Sequence, residues 1–176
     1  MRTSTVIAVV VVVVVVAVAA LYASRYIAGS LSGANIYVYL TDKPVQVQHL
    51  YVTISSIMFH NVNGGWATCS NASITVDLAS LVNTSELAAS CKLPNGTYNL
   101  IFLKVSSVKA VVNGNTVGCT LPSGTFKVPL EPSPIVVNGT SYNVKVDMGA
   151  VGNVNITGNG KCIVRPVIRA TASKRG

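Results

Sequence analysis

Charge is what this chain has least of. Only 10% of its 176 residues are charged, with five acids against thirteen Lys and Arg, and there are two histidines. A hydrolytic centre needs a base within reach of a nucleophile and a third group to orient it. Asp42, Asp77, Glu86, Glu131, Asp147, His49 and His60 are the whole supply, so enzymatic function ranks last and no catalytic residue is assigned. The net charge of +8 is spread over Lys43, Lys92, Lys104, Lys109, Lys127 and Lys145, and thickens only in the tail at Lys161, Arg165, Arg169, Lys174 and Arg175. A nucleic-acid surface would want a basic patch interleaved with aromatics. Aromatics make up only 6% of the chain, so nucleic acid is not expected as a partner. No two of the four cysteines lie two to four residues apart, which removes the usual zinc pattern. No metal or cofactor is expected, and neither an internal repeat nor a second domain is visible.

Half of the chain is hydrophobic, and its start is the densest part. Met1-Arg2-Thr3-Ser4-Thr5 leads into an uncharged run from Val6 to Ser24 with eight consecutive valines at its heart. Roughly nineteen uncharged residues can cross a bilayer core as a helix, since lipid leaves the backbone no other hydrogen-bond partner than itself. Three fates stay open. As a signal peptide the run has a basic start and Ala17-Val18-Ala19 as a cleavage site, with Ala28-Gly29-Ser30 as a second. As a retained anchor it would place Arg25 on the outer face, weakly against the positive-inside rule. As a fibre-core helix it resembles archaeal type IV pilins, although Arg2 is followed by Thr3 rather than by the Gly or Ala of their processing site.

Export frames the remaining signals. An even number of cysteines outside the cytoplasm reads as two disulfides, and Cys69–Cys91 with Cys119–Cys162 is the favoured pairing, the first closing a loop region and the second stapling late strands. Five Asn-x-Ser/Thr triplets, at Asn71, Asn83, Asn95, Asn138 and Asn155, are acceptor sites for N-glycosylation. Ser, Thr, Asn and Gly supply the polar surface that Lys and Glu normally would, as is common in exported β proteins.

Period-two alternation dominates from Asn35 onward, in Ile36-Val38-Leu40, Leu50-Val52-Ile54, Ile74-Val76-Leu78, Ile101-Leu103-Val105 and Tyr142-Val144-Val146. Each set is one face of a half-buried strand. Ser55-Ser56 breaks the phase before Ile57 and Phe59 resume it, which predicts a β-bulge. Asn-Gly pairs at 63–64, 95–96, 113–114, 138–139 and 159–160 are hairpin signals, because both residues tolerate positive φ. Pro129, Pro132 and Pro134 mark an edge or loop. One helical stretch is expected within Leu78 to Ser90. The expected fold is all-β: an antiparallel β-sandwich over 34–172, behind an N-terminal hydrophobic signal or anchor helix over 1–24 and a linker or donor segment over 25–33.

Particular blocks then carry a resemblance. Leu40-Thr41-Asp42-Lys43-Pro44, Ile57-Met58-Phe59-His60, Gly64-Gly65-Trp66, Val76-Asp77-Leu78, Leu93-Pro94-Asn95-Gly96-Thr97-Tyr98, Pro122-Ser123-Gly124 and Arg165-Pro166-Val167-Ile168 resemble an extracytoplasmic domain of unknown function found in archaea and bacteria. The resemblance runs from about residue 36 to 169. It implies a surface protein and no activity. This leader has no cysteine to carry lipid, and of the family's late Asp-Phe-Asp only the first acid survives, in Asp147-Met148-Gly149.

Each candidate site has a plainer reading beside it. Asp42, before Lys43-Pro44, is read as a turn cap ahead of a Ca²⁺ ligand shared with Asp147. His60 closes a strand before a turn. Trp66, after two glycines, is read as a core plug ahead of a platform for stacking sugars. The leading functional expectation is an exported structural protein that self-associates into a homopolymer, each subunit lending residues 20–33 as a strand to its neighbour, a layout similar to that of donor-strand biofilm fibre proteins. The alternatives are a membrane-tethered module binding sugars or a partner protein, and a type IV pilin-like subunit.

Overall fold

A computed structural model of the chain describes Val16, Val18 and residues 33–42, 47–149, 154–157 and 161–176. The chain divides into two compact units, Met1–Ser32 and Gly33–Gly176. The expected leader over 1–24 lies outside the described residues apart from Val16 and Val18, both helical and exposed. Among the described residues no helix is long and apolar enough to cross a membrane. The segment 25–33 also lies outside them, except that Gly33 already belongs to the first strand.

The second unit is all-β, with strands β1 (Gly33–Thr41), β2 (His49–Asn61), β3 (Trp66–Ser70), β4 (Ile74–Asp77), β5 (Glu86–Pro94), β6 (Gly96–Val112), β7 (Asn115–Thr120), β8 (Thr125–Glu131), β9 (Ile135–Val137), β10 (Tyr142–Asp147), β11 (Val154–Ile156), β12 (Cys162–Val164) and β13 (Arg169–Lys174). One layer runs β5-β1-β10-β13, and the other is built on the long β2–β6 pair. β8 belongs to both, pairing β13 on one edge and β6 on the other. The hydrogen-bonded ribbon therefore turns a corner at β8 and brings two of its edge strands, β3 and β5, together. No ladder joins those two strands; the Cys69–Cys91 disulfide does, with Cα atoms 5.2 Å apart. Inside, Ile36, Val38 and Leu40 of β1 and Val144 and Val146 of β10 share one core with Leu50, Ile54, Ile57 and Phe59 of β2 and Ile101 and Leu103 of β6. These are the residues that the alternation marks, because a pleated strand sends every second side chain to one face.

Three expectations need correction. The sheet is mixed rather than antiparallel, since β1–β10, β7–β12 and β8–β13 are parallel. Alternation reports which face is buried and nothing about strand direction, and parallel partners are joined by long crossovers that leave no local signal. The helical stretch at 78–90 is only a 3₁₀ turn, Leu78–Leu81, capped by the Asp77 carboxylate accepting from the Ala79 amide. Asn83, at φ 59°, ends it, and Glu86 onward becomes β5, which pairs with β1. The proline segment splits: Pro129 sits inside β8, opposite Leu100, while Pro132 and Pro134 lie in the link to β9.

Other expectations hold. The β2–β6 register slips on both sides of Ile54, next to Ser55-Ser56, as a bulge requires. Cys69–Cys91 and Cys119–Cys162 are both formed. Asn113-Gly114, with φ 49° and 76°, turns β6 directly into β7. Asn95-Gly96 behaves differently, because β5 and β6 lie in different layers and do not pair. There the chain rounds a corner where a Cβ on Gly96 would come within 2.5 Å of the Asn61 amide nitrogen. Asn159 and Gly160 lie outside the described residues.

Candidate functional site

The outer face of the β2–β6 layer carries an unusual set of side chains. Directly paired residues in neighbouring strands point to the same face. One cross-strand row is Trp66, His60, Leu100 and Pro129, and the next is Thr68, Met58, Phe102 and Lys127. Their sequence neighbours Phe59, Ile101 and Val128 point inward and are buried, so these two rows face out. Trp66 is 39% exposed. This overturns its reading as a core plug: it stands at the first position of an edge strand, and the register places it opposite His60 rather than over the core. The His60 ring lies 4.9 Å from it at 58°, and Phe102 meets it edge-on at 5.7 Å. Such tilted and edge-to-face contacts suit the charge distribution of aromatic rings. Lys127 Nζ sits 5.8 Å over the indole, within cation–π range. His60 is itself fixed by a 2.9 Å hydrogen bond between Nδ1 and Asn99 Oδ1.

The face continues along β2 and β6 toward His49. Its next rows carry Ser56, Lys104 and Thr125, then Thr75, Thr53 and Ser107, then Asp77, Tyr51, Lys109 and Gly118. At the far end the Tyr51 ring stacks on His49 at 5.5 Å, and His49 Nδ1 lies 2.6 Å from Asp77 Oδ2. Burial pushes the Asp77 carboxyl up, but hydrogen bonds from His49 and from the Leu50 and Ala79 amides outweigh it and hold the group below the usual aspartate value. His49 and Asp77 thus form a paired imidazole and carboxylate at this end of the face.

A second feature lies on the outside of the other layer. The parallel β1–β10 ladder sets Thr41 opposite Asp147, so the first block of the family resemblance and its late acid reach one cavity of about 400 Å³, lined also by Asp42, Glu131, Lys145 and Arg169. An adjoining cavity of about 270 Å³ lies beside Tyr39 and Asn143. Asp42 is 4% exposed and bridges Val82; the residues after it, where a turn cap was expected, are outside the described set. Asp42 and Asp147 do meet at one cavity, as a shared Ca²⁺ site needs. Among the described residues, however, no group of three or more His, Cys, Asp or Glu is placed to hold a metal ion. Asp147 Oδ1 instead accepts from the Gly149 amide. Charges of both signs line this cavity, so it singles out no one ligand chemistry.

The five sequon asparagines, Asn71, Asn83, Asn95, Asn138 and Asn155, are all exposed. Phe102, Lys104, Lys109 and Lys127 were not singled out from the sequence. A signal for Phe102 was present, since Leu100-Ile101-Phe102-Leu103 is apolar at outward as well as inward positions, where a half-solvated strand should alternate. For the lysines there was none, because only the register gathers them.

Comparison with known proteins gives a family and little more. Residues 33–166 match the family described as a domain of unknown function, DUF4382. No curated protein matches. Among solved structures, the chain is similar to a "putative cell adhesion protein" from Bacteroides ovatus ATCC 8483 at 15% identity and a TM-score of 0.29. That similarity covers 78% of this chain and 45% of the other, so this chain spans under half of it.

Proposed function

Since the chain belongs to the DUF4382 family, a domain of unknown function, no activity comes with its membership, and we propose from geometry that it is an exported cell-surface module that binds carbohydrate. The carrying observation is the outward aromatic cluster of Trp66, His60 and Phe102 on a rigid sheet. An indole on a sheet face offers a flat apolar surface to the C–H face of a sugar ring, with polar partners for its hydroxyls alongside. Two disulfides suit an oxidising, extracytoplasmic compartment, and the hydrophobic leader would export or tether the domain.

The donated-strand fibre is the weaker reading. It needs an apolar groove that a neighbour's strand can fill. Among the described residues, one apolar cavity, near Leu50, Val52, Val108, Phe126 and Met148, holds only about 10 Å³, about the space of one water probe, and supplies no such groove.

Trp66 is the single tryptophan, so intrinsic fluorescence reports directly on the proposed surface. Titration of the mature protein with a panel of soluble polysaccharides should shift that emission for at least one of them. A panel that leaves the emission unchanged, together with filaments of the mature chain that vanish on deletion of residues 20–33, would replace this reading with the fibre.

A further inference from the structure

We infer that the ligand of this face is an acidic polysaccharide, a polymer carrying uronate or sulfate groups, laid along the β2–β6 strands. The inference rests on the carbohydrate-binding reading above and adds the ligand's charge and direction. Three lysines that are far apart in sequence stand on this one face: Lys127 beside Phe102, Lys104 one outward position along β6, and Lys109 beyond the bulge. All three are exposed. From the Trp66 row to the Thr75-Thr53-Ser107 row no carboxylate stands among them. The first is Asp77, in the Lys109 row, and it already accepts from the Leu50 and Ala79 amides and pairs with His49. Between those rows Lys127 and Lys104 meet a polyanion with no carboxylate among them, in a chain with five acids in all, which is the complementarity that steers and orients charged partners.

The arrangement also has a direction. The aromatic cluster lies at the Trp66–His60 end, the lysines follow along β6, and Ser56, Thr53, Thr75, Ser107 and Thr125 supply hydroxyls between them. Strand residues rise about 3.3 Å each, so the face from His60 to Tyr51 spans about 30 Å, a length for several consecutive sugars rather than one. Stacking at one end fixes the polymer's ring plane, and the ammonium groups then meet its acid substituents. Nucleic acid is also a polyanion, but base recognition on single strands uses a series of aromatic stacking platforms along the backbone path. Here the aromatics are gathered at one end.

The test uses the mature domain with both disulfides intact. Binding to polygalacturonate, to dextran as a neutral polymer and to single-stranded DNA is measured by Trp66 fluorescence and by retention on immobilised polymer, at low and high salt. Polygalacturonate should bind and weaken steeply with salt. Trp66→Ala, read by retention, should lower its affinity about tenfold or more, equivalent to about 1.4 kcal/mol or more. The triple variant Lys104→Glu, Lys109→Glu, Lys127→Glu should abolish binding while leaving the circular dichroism and melting curve intact, since all three side chains are exposed. Dextran bound as tightly as polygalacturonate, in a Trp66-dependent way, would overturn the acidic assignment and keep the carbohydrate reading. No binding to either polymer would remove both. Polygalacturonate or DNA bound equally well by wild type and Trp66→Ala would reduce the face to a non-specific cation surface and overturn the inference.

Discussion

Removing Cys69–Cys91 should open this domain where its ribbon closes. Cys69 is on β3 and Cys91 on β5, edge strands of the two layers, and no ladder pairs those strands. The bridge spans 22 residues. In the chain-entropy account, a loop of that length restricts the unfolded state by about 3.4 kcal/mol at 25 °C. For a domain of roughly 140 residues the melting entropy is about 0.3 kcal/mol/K, so the double variant Cys69→Ala, Cys91→Ala should melt about 11 °C lower. Cys119–Cys162 spans 43 residues and would by the same formula contribute about 4 kcal/mol. It staples β7 to β12, away from the β3–β5 seam. If that short ribbon frays locally once cut, the observed loss is capped at the ribbon's own stability. The larger global shift should therefore come from the shorter loop. Calorimetry of the two double variants reads the melting shift, and amide exchange reads the site of opening, with faster exchange expected in β3 and β5 for the first variant. A Cys69/Cys91 variant that melts within about 2 °C of wild type, or protects β3 and β5 equally well, would refute the seam argument.

Other perturbations follow from particular contacts. Phe59 is fully buried and meets Tyr98 edge-on, so Phe59→Ala should cost about 3–5 kcal/mol in denaturant unfolding. Gly149 has φ 52°, and a Cβ there would lie 2.1 Å from the Val167 carbonyl oxygen, so Gly149→Ala should destabilise by about 1–3 kcal/mol or more. Asp77 is held below its ordinary value; its folded form is favoured while ionised, so its contribution is present above about pH 4 and fades as pH falls through the folded value. Asp77→Asn should flatten the stability–pH curve in that acid range, and an unchanged curve would contradict the assignment. Protein from a host that N-glycosylates should carry extra mass on the exposed Asn71, Asn83, Asn95, Asn138 and Asn155, and an intact mass matching the bare polypeptide would reject modification.

The face of each strand was legible because burial on a pleated strand repeats every two residues, a property of the local chain. Ile36, Val38 and Leu40, or Leu50, Val52 and Ile54, had no other way to hide together, and the Ser55-Ser56 phase break could only be a bulge. The cysteines were legible for a different reason: export and the absence of zinc spacing leave disulfides as their use, and three pairings are few. The turn at Asn113-Gly114 followed from φ alone. Asn95-Gly96 did not, because a dipeptide that permits a turn is equally able to round a corner between layers.

Composition, the strand pattern, the hydrophobic start and the family resemblance were therefore set by sequence, since each depends on residues that are neighbours along the chain. Strand direction, the closure of β3 on β5, the meeting of Asp42 with Asp147 and the gathering of Trp66, Phe102, Lys104, Lys109 and Lys127 were decided only by tertiary structure. Trp66 and Lys127 share a face because β2 and β6 lie between β3 and β8 in one register. That register is chosen by the burial of the opposite face, in residues such as Phe59, Ile101 and Val128 that never touch the proposed ligand. A binding surface built on the solvent side of a sheet is thus specified by the core behind it, through side chains that no local pattern connects.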